Sequence, residues 1–362
     1  MSRLFHTLLT GLVFLLSCQV LAHHAITSHF DMSRTIEIRG TVVDFKMRSP
    51  HASIIVDGIS YENGQAREES AVRWEIESAA AAGMRRMGIE RDTFQPGDSI
   101  TVFAAPNREP GYRFVNSARF ISSDGIEYSR GGSKPYQTVT AETLRTKVGV
   151  QRLTGRWNVP LSRALGESPL PLNEAGLTAR DNYDPKRSPA NTCEPMNFPD
   201  MFNAPYLFDL RVEDNIAILY NQPWEVTRRI PLDGSEGSTE PDGFFGKLSG
   251  RFNNGGIVIE SSGFPVSLWG LGSATQHLGG GADIPSSTQK TLHERFSVSG
   301  DGQTLIYHYT VTDPVYLSEP YSAQLKFNRV AEDTPMYDYD CELEASAMFS
   351  RTSGDARLII GD

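Results

Sequence analysis

The sequence predicts a mainly β protein: a five-stranded barrel carrying one short helix, followed by a larger antiparallel β-barrel. Three observations lead there. The chain has 362 residues, more than one hydrophobic core usually serves. Its 32 glycines and 21 prolines suit many short strands joined by turns. And Asp214-Asn215, Asn253-Asn254-Gly255 and Gly300-Asp301-Gly302 are hairpin turns set between strand-like runs, which makes those runs antiparallel neighbours.

The chain starts with a leader-like segment. Met1-Ser2-Arg3 is a short cationic start, and the apolar stretch from Leu8 to Leu16 is too short for a hydrocarbon core of roughly 30 Å. It suits a secretory leader cleaved after Val20-Leu21-Ala22. Periplasmic export is the expectation. The alternative is a lipoprotein anchored at Cys18, although Leu15-Leu16-Ser17 is a poor lipid-attachment box. No other apolar run approaches ~18 residues, so no transmembrane span is expected.

Residues 35–45, 52–56 and 72–76 read as three strands, with Gly40 where a bulge would bend the first. Residues 78–88 read as a short helix that Ser78 would cap and Gly88 would end. The Pro96-Gly97-Asp98 turn then leads to strands over 99–104 and 113–121. Three strands, a helix and two strands is the order of an OB-type barrel. A Gly/Ser/Thr-rich stretch over 130–150 reads as the linker. Beyond it, strands are expected over 153–159, 206–212, 216–220, 225–232, 256–260, 304–312 and 323–329. The stretch 278–289, with its Gly279-Gly280-Gly281 run, reads as a mobile loop at a barrel mouth.

Gly155-Arg156-Trp157 opens this second unit and is similar to the calycin signature, in which the tryptophan closes one barrel end beneath an arginine from the last strand. Arg329 is the candidate partner. The second barrel is therefore expected to be calycin- or lipocalin-like. The expected organisation is a signal peptide over 1–22, an OB-like barrel over 23–129, a linker over 130–150, a calycin-like barrel over 151–345 and a tail over 346–362.

Cleavage after Ala22 leaves two cysteines, Cys193 and Cys341, in an oxidising compartment. A disulfide is the expectation and two buried thiols the alternative. So wide a spacing does not fit a zinc site.

Ala22-His23-His24-Ala25, Ile38-Arg-Gly-Thr-Val-Val43, Ser49-Pro50-His51, Trp74-Glu75 and Gln95-Pro96-Gly97-Asp98 resemble an uncharacterised exported bacterial family, with Ser49 standing where that family usually has Asn. Leu153-Thr-Gly-Arg-Trp157, Pro171-Leu-Asn-Glu-Ala-Gly176, Cys193-Glu194-Pro195, Ile218-Leu-Tyr220, Arg228-Arg-Ile230, Gly263-Phe264, Glu294-Arg-Phe296, Asp313-Pro314 and Cys341 are similar to a second uncharacterised exported module. In that module a His-rich loop often precedes Glu-Arg-Phe; here it holds only His277. The two resemblances imply export, a disulfide and β structure, and no known activity.

The 34 Lys and Arg against 44 Asp and Glu give a net charge of −10, which leaves no broad positive field for a nucleic-acid partner. Hydrolase signatures are missing: Gly270-Leu-Gly-Ser273 lacks the closing glycine of a nucleophile elbow, and His293-Glu294 lacks the second histidine of a zinc helix. His308 on its strand reads as a barrel side chain satisfied by a neighbour. No catalytic residue is assigned. The candidate metal ligands are His23, His24 and His51: an N-terminal amine with its own imidazole chelates Cu(II), and a further imidazole completes the set. The competing reading is a frayed, solvated terminus. Asp338, Asp340, Glu342 and Glu344 share one face of a strand by period two, and a solvated face is expected there rather than a Ca²⁺ site.

The expected function is non-catalytic binding of a small, hydrophobic ligand inside the second barrel, whose interior the aromatic residues would line. A periplasmic copper-binding protein is the alternative. A further one is a cofactor-independent isomerase or cyclase using a lone acid such as Glu294.

Overall fold

The computed structural model describes residues 29–130, 136, 139–140, 144, 147–159, 169–276 and 278–352. The leader with Cys18, the histidines His23 and His24, the loop histidine His277 and most of the 130–146 stretch lie outside the described residues. Among the described residues no helix is long and apolar enough to cross a membrane.

The first barrel is built from β1 (Ile36–Lys46), β2 (Ser53–Glu62), the short β3 (Gln65–Ala66), β4 (Val72–Glu77), helix α1 (Ala81–Arg86), β5 (Ser99–Ala105), β6 (Phe114–Ile121) and β7 (Glu127–Ser129). β1 pairs antiparallel with both β2 and β5, β2 with β4, and β5 with β6, while β4 and β6 run parallel, so five strands close on themselves in OB order. Alternation explains the closure: Ile36, Ile38, Val42, Ile54, Val56, Ile76, Ile100 and Val102 all point inward and are buried. Helix α1 adds Ala81 and Met84 to the same core.

Two expectations are corrected here. The bulge in β1 falls between Val42 and Asp44, not at Gly40. Gly40 instead lies directly opposite Gly58, and a Cβ on it would come within 2.3 Å of the Asp57 carbonyl oxygen. Only glycine permits that approach. Ser78 does not cap α1: the helix starts after Ala80 without a side-chain cap, because the backbone of 78–81 is engaged by Ala52 and Arg48. Gly88 does end it, at φ +86°.

The second sheet has eleven strands. They are β8 (Gly155–Asn158), β9 (Leu207–Glu213), β10 (Ile216–Asn221), β11 (Val226–Pro231), β12 (Asp233–Glu236), β13 (Ser238–Glu240), β14 (Lys247–Asn253), β15 (Gly256–Ser262), β18 (Thr291–Val298), β19 (Thr304–Thr312) and β20 (Tyr321–Val330). A separate small pair joins β16 (Ser267–Gly272) to β17 (Ile284–Ser286). Helix α2 (Glu174–Asp181) precedes β9 and helix α3 (Leu343–Thr352) follows β20. Every pairing in the large sheet is antiparallel, and β8 joins β20, so the first and last strands are neighbours. The crossing segment β12–β13 pairs with β14 through its first half and with β11 through its second, which brings the barrel nearly to closure. The predicted hairpins are present: Asp214 and Asn215, and Asn254 and Gly255, all take positive φ at their turns.

The sheet exceeds the eight strands of a lipocalin barrel. Among the strands not anticipated are β12–β13, whose Asp-Gly-Ser-Glu-Gly-Ser-Thr-Glu sequence carries no apolar pattern, and β14 and β18, where the outward positions are polar or charged. The 278–289 stretch is not a free loop. It contains β17, and Ala282, Asp283, Ile284 and Ser286 are buried.

Candidate functional site

The interior of the second barrel is occupied by the chain itself. A 3₁₀ turn over Asp200–Asn203 enters it and places Phe202 against the rings of Phe208, Phe296, Tyr307 and Phe327, at centroid distances of 5.2, 5.7, 4.8 and 5.6 Å. All five rings are almost fully buried. The aromatic residues expected to line a cavity pack against each other instead, with Phe202 as a plug.

Two buried cations fix this plug. Arg228 on β11 reaches inward to Glu294 on β18, with Nη1–Oε1 at 2.9 Å and Nη2–Oε2 at 2.5 Å. Nη2 also donates to Ser261 Oγ at 3.3 Å, and the Tyr307 hydroxyl donates to Glu294 Oε1 at 2.8 Å. The guanidinium lies over the Phe198 ring at 4.5 Å. Burial disfavours the Arg228 charge, but the Glu294 carboxylate more than offsets it, so the guanidinium sits above its usual value. Burial, then the Glu294 charge, pushes the Tyr307 hydroxyl well up. Lys290 is fully buried and donates to Asn197 Oδ1 at 3.0 Å, Phe198 O at 2.7 Å and Gly270 O at 2.5 Å. Desolvation brings its amine down to about 7, against a partial restoring pull from Asp313, Glu294 and Asp200. Glu294 is therefore no lone acid: its carboxylate is 0% exposed and fully committed to Arg228 and Tyr307.

Outside the barrel lies a different feature, an open groove of about 620 Å³. Its floor is a row set by strand register. Glu236 on β12 is opposite Ser249 on β14, Ser249 opposite Glu260 on β15, Glu260 opposite His293 on β18, and His293 opposite Thr310 on β19. A parallel row adds Lys247, Ser262, Thr291 and Thr312. Alternation forces both rows outward, because the intervening Leu248, Ser261, Leu292 and Val311 face the core. Lys247 Nζ lies 3.3 Å from Glu236, and Arg251 lies 3.0 Å from Glu260. The groove thus offers hydroxyls, carboxylates, an imidazole and an ammonium on a rigid sheet. Sequence reasoning dismissed His293 for lacking a zinc partner; its signal was the polar alternation of Thr291-Leu-His-Glu-Arg-Phe296.

The remaining sequence candidates fall as follows. Trp157 is fully buried, and the Arg329 guanidinium lies 4.1 Å from its ring centroid while donating to the carbonyls of Arg152, Thr154 and Gly302. Gly155 leaves room for that guanidinium: a Cβ there would meet Nη1 at 2.1 Å. Cys193 and Cys341 are joined in a disulfide. Of the metal candidates, His23 and His24 lie outside the described residues. His51 is 30% exposed, with Nδ1 3.5 Å from Glu77 Oε1 and 3.4 Å from the Ser78 carbonyl. His308 faces outward and is exposed. Among the described residues no three His, Cys, Asp or Glu side chains group to hold a metal.

The acidic run is corrected. Residues 337–342 are not a strand, and α3 follows from Leu343. Its carboxylates stay solvent-accessible, Asp338, Asp340 and Glu344 exposed and Glu342 half-buried, and three of them also pair: Asp340 with Arg91, Glu342 with Arg48, and Glu344 with Arg48 and Lys46.

Residues 12–113, less than a third of the chain, match a family of unknown function, DUF6152. The match spans most of the first barrel and agrees with the uncharacterised resemblance of that region. No curated protein and no solved structure gives a significant match.

Proposed function

We propose that this is an exported, periplasmic binding protein whose second barrel takes a small polar ligand in the outer groove. The observation that carries the reading is the register-aligned row Glu236–Ser249–Glu260–His293–Thr310 along the floor of a groove of about 620 Å³. A ligand-sized volume lined by convergent hydrogen-bonding groups on rigid strands is the usual form of a recognition site. The plugged axis turns the expectation from a hydrophobic ligand inside the barrel to a hydrogen-bonding one outside it. A thermal-shift panel of monosaccharides, disaccharides, amino acids and dicarboxylates tests this. A ligand at about a hundred times its Kd stabilises by about 2.7 kcal/mol, a readable rise in Tm. The rise should vanish in Glu260→Ala and His293→Ala. A panel in which no member raises the wild-type Tm beyond these variants would remove the proposal.

A second reading, copper binding through His23, His24 and His51, is favoured by one geometric detail. The Nδ1 edge of His51 faces Glu77, itself buried and held by Asn116 Nδ2 at 3.2 Å, which leaves the opposite ring nitrogen directed away from the carboxylate. A carboxylate behind a histidine is the usual arrangement for orienting a metal ligand. Cu(II) titration of the mature protein should give tight binding that is lost on adding one Ala before His23 and unchanged in His277→Ala. Equal binding by a His23→Ala variant would return the cluster to a solvated terminus.

A further inference from the structure

The segment 337–346 lies between the two barrels, and its two faces go to different partners. On the large-sheet side, Tyr339 is buried against the rings of Tyr206 and Trp224 at 5.5 and 5.2 Å. Its backbone N–H donates to Glu225 Oε1 at 3.2 Å, Gln222 Nε2 donates to the Tyr337 carbonyl at 2.8 Å, and Cys341 is bonded to Cys193. On the first-barrel side the contacts are of another kind. Ser49, in the β1–β2 turn, forms a parallel β-bridge with Cys341: Ser49 N–H donates to the Asp340 carbonyl at 3.3 Å, and Glu342 N–H donates to the Ser49 carbonyl at 3.0 Å.

Charge follows the backbone. Asp340 pairs with Arg91, Glu342 lies 3.7 Å from Arg48, and Glu344 lies 2.8 Å from Arg48 and 3.3 Å from Lys46. The Arg85 guanidinium covers the Tyr337 ring at 5.0 Å. Hydrogen bonds from Arg48 and Lys46 hold the Glu344 carboxyl below its ordinary value. The cleft is therefore a single backbone bridge at Ser49 flanked by three cations, and it reads an extended chain with acids at 340 and 342, followed by Glu344 on the first turn of α3. Backbone pairing supplies affinity and alternate side chains supply selectivity, as in other cases of strand addition.

We propose that the cleft formed by Lys46, Arg48, Ser49 and Arg91 on the first barrel is a binding site for acidic peptide segments that enter extended, which residues 338–342, with Glu344 on the helical turn that follows, fill in cis. Lys46, Arg48, Ser49 and Arg91 all lie within the 12–113 family match and residues 338–344 lie outside it, so the cleft belongs to the first module and the occupant to the rest of the chain. With the segment 338–344 in place Arg48 is only 2% exposed, its guanidinium shared among Glu344, Glu342 and Ser53 Oγ. The disulfide and Tyr339 hold the occupant next to its site, which keeps its effective concentration high.

The test uses the full chain with Asp340→Lys, Glu342→Lys and Glu344→Lys, which keeps the disulfide and the Tyr339 anchor. The probe is a fluorescein-labelled peptide of residues 336–345 with Cys341→Ser. The reversed variant should bind the probe at least about tenfold more tightly than wild type, with affinity falling as salt is raised. Adding Arg48→Glu and Arg91→Glu should abolish probe binding and restore hydrogen-exchange protection over 338–344. In the unmodified protein, protection of that segment should fall about tenfold between dilute buffer and about 1 M salt. A probe that fails to bind the reversed variant, or binds equally after Arg48→Glu, would overturn the proposal. So would protection of residues 338–344 that is indifferent to salt in the unmodified protein.

Discussion

The two barrels solve the same problem in opposite ways. The five-stranded barrel fills its interior with its own strand side chains, Ile38, Val42, Ile54, Val56, Ile76, Ile100 and Val102, plus Met84 from the helix, and buries charge only near strand ends, at Arg48 and Glu77. The larger barrel encloses more volume than its strands fill, and takes in the Phe202 plug, the Arg228–Glu294 pair and Lys290. The difference teaches that barrel size sets interior chemistry. A wider barrel admits an inserted segment, and an inserted segment brings backbone carbonyls and charges that must then be satisfied inside.

The sharpest way to break this comparison is at the ion pair. Glu294→Leu leaves Arg228 buried without its partner and should cost about 3–5 kcal/mol in denaturant unfolding, whereas Arg228→Met with Glu294→Leu should recover much of the loss. If the double variant were no better than the single, the pair would be indispensable to the fold rather than merely accommodated. Phe202→Ala removes the plug and should cost about 3–5 kcal/mol, opening a cavity detectable by xenon or benzene binding. No cavity and a smaller cost would mean that the barrel collapses around the gap.

Lys290 sharpens the contrast through pH. Its amine titrates near 7 in the folded chain against an ordinary 10.5, so between those values the unfolded chain binds the extra proton. Stability should therefore rise with pH from about 7 toward 10.5 and be flat below 7. Lys290→Met should remove that slope, and parallel curves for the two proteins would refute it. The smallest effect belongs to the first barrel: Ile54→Val, deep in an aliphatic core, should cost only about 0.5–1.5 kcal/mol and carry no pH dependence in that window.

The same contrast decides how much was legible. In the first barrel the alternation of Ile36, Ile38 and Val42, the Pro96-Gly97-Asp98 turn and Gly88 mark elements that the structure repeats within a residue or two at most strand ends. In the second, burial defeats alternation. Glu294 and Arg228 point inward although charged, and Met196-Asn-Phe-Pro-Asp-Met-Phe202 has no period because it crosses the barrel rather than joining its wall. Trp157 and Arg329 were readable as a pair because Gly155-Arg156-Trp157 is similar to a signature in which an arginine of the last strand covers the tryptophan. The groove was not, because strand register across β12, β14, β15, β18 and β19 is a long-range property that no local window contains. The acidic run shows a mixed outcome: the expected solvent exposure of Asp340, Glu342 and Glu344 is there, but on a non-strand segment leading into α3, and each carboxylate also pairs with a cation.

The pairing of β8 with β20 has a consequence for how the molecule is made. Trp157 on β8 pairs directly with Arg329 on β20, the last strand of the sheet in sequence, so this seam of the large barrel cannot form until the chain reaches β20. A chain emerging from its N-terminus can close the first barrel once β6 is out, while the strand carrying Trp157 waits with an unpaired edge until almost everything else has followed. Contacts of such long sequence separation fold slowly. The interval between the two closures is the period in which this protein is most exposed to aggregation and most dependent on protection by other factors.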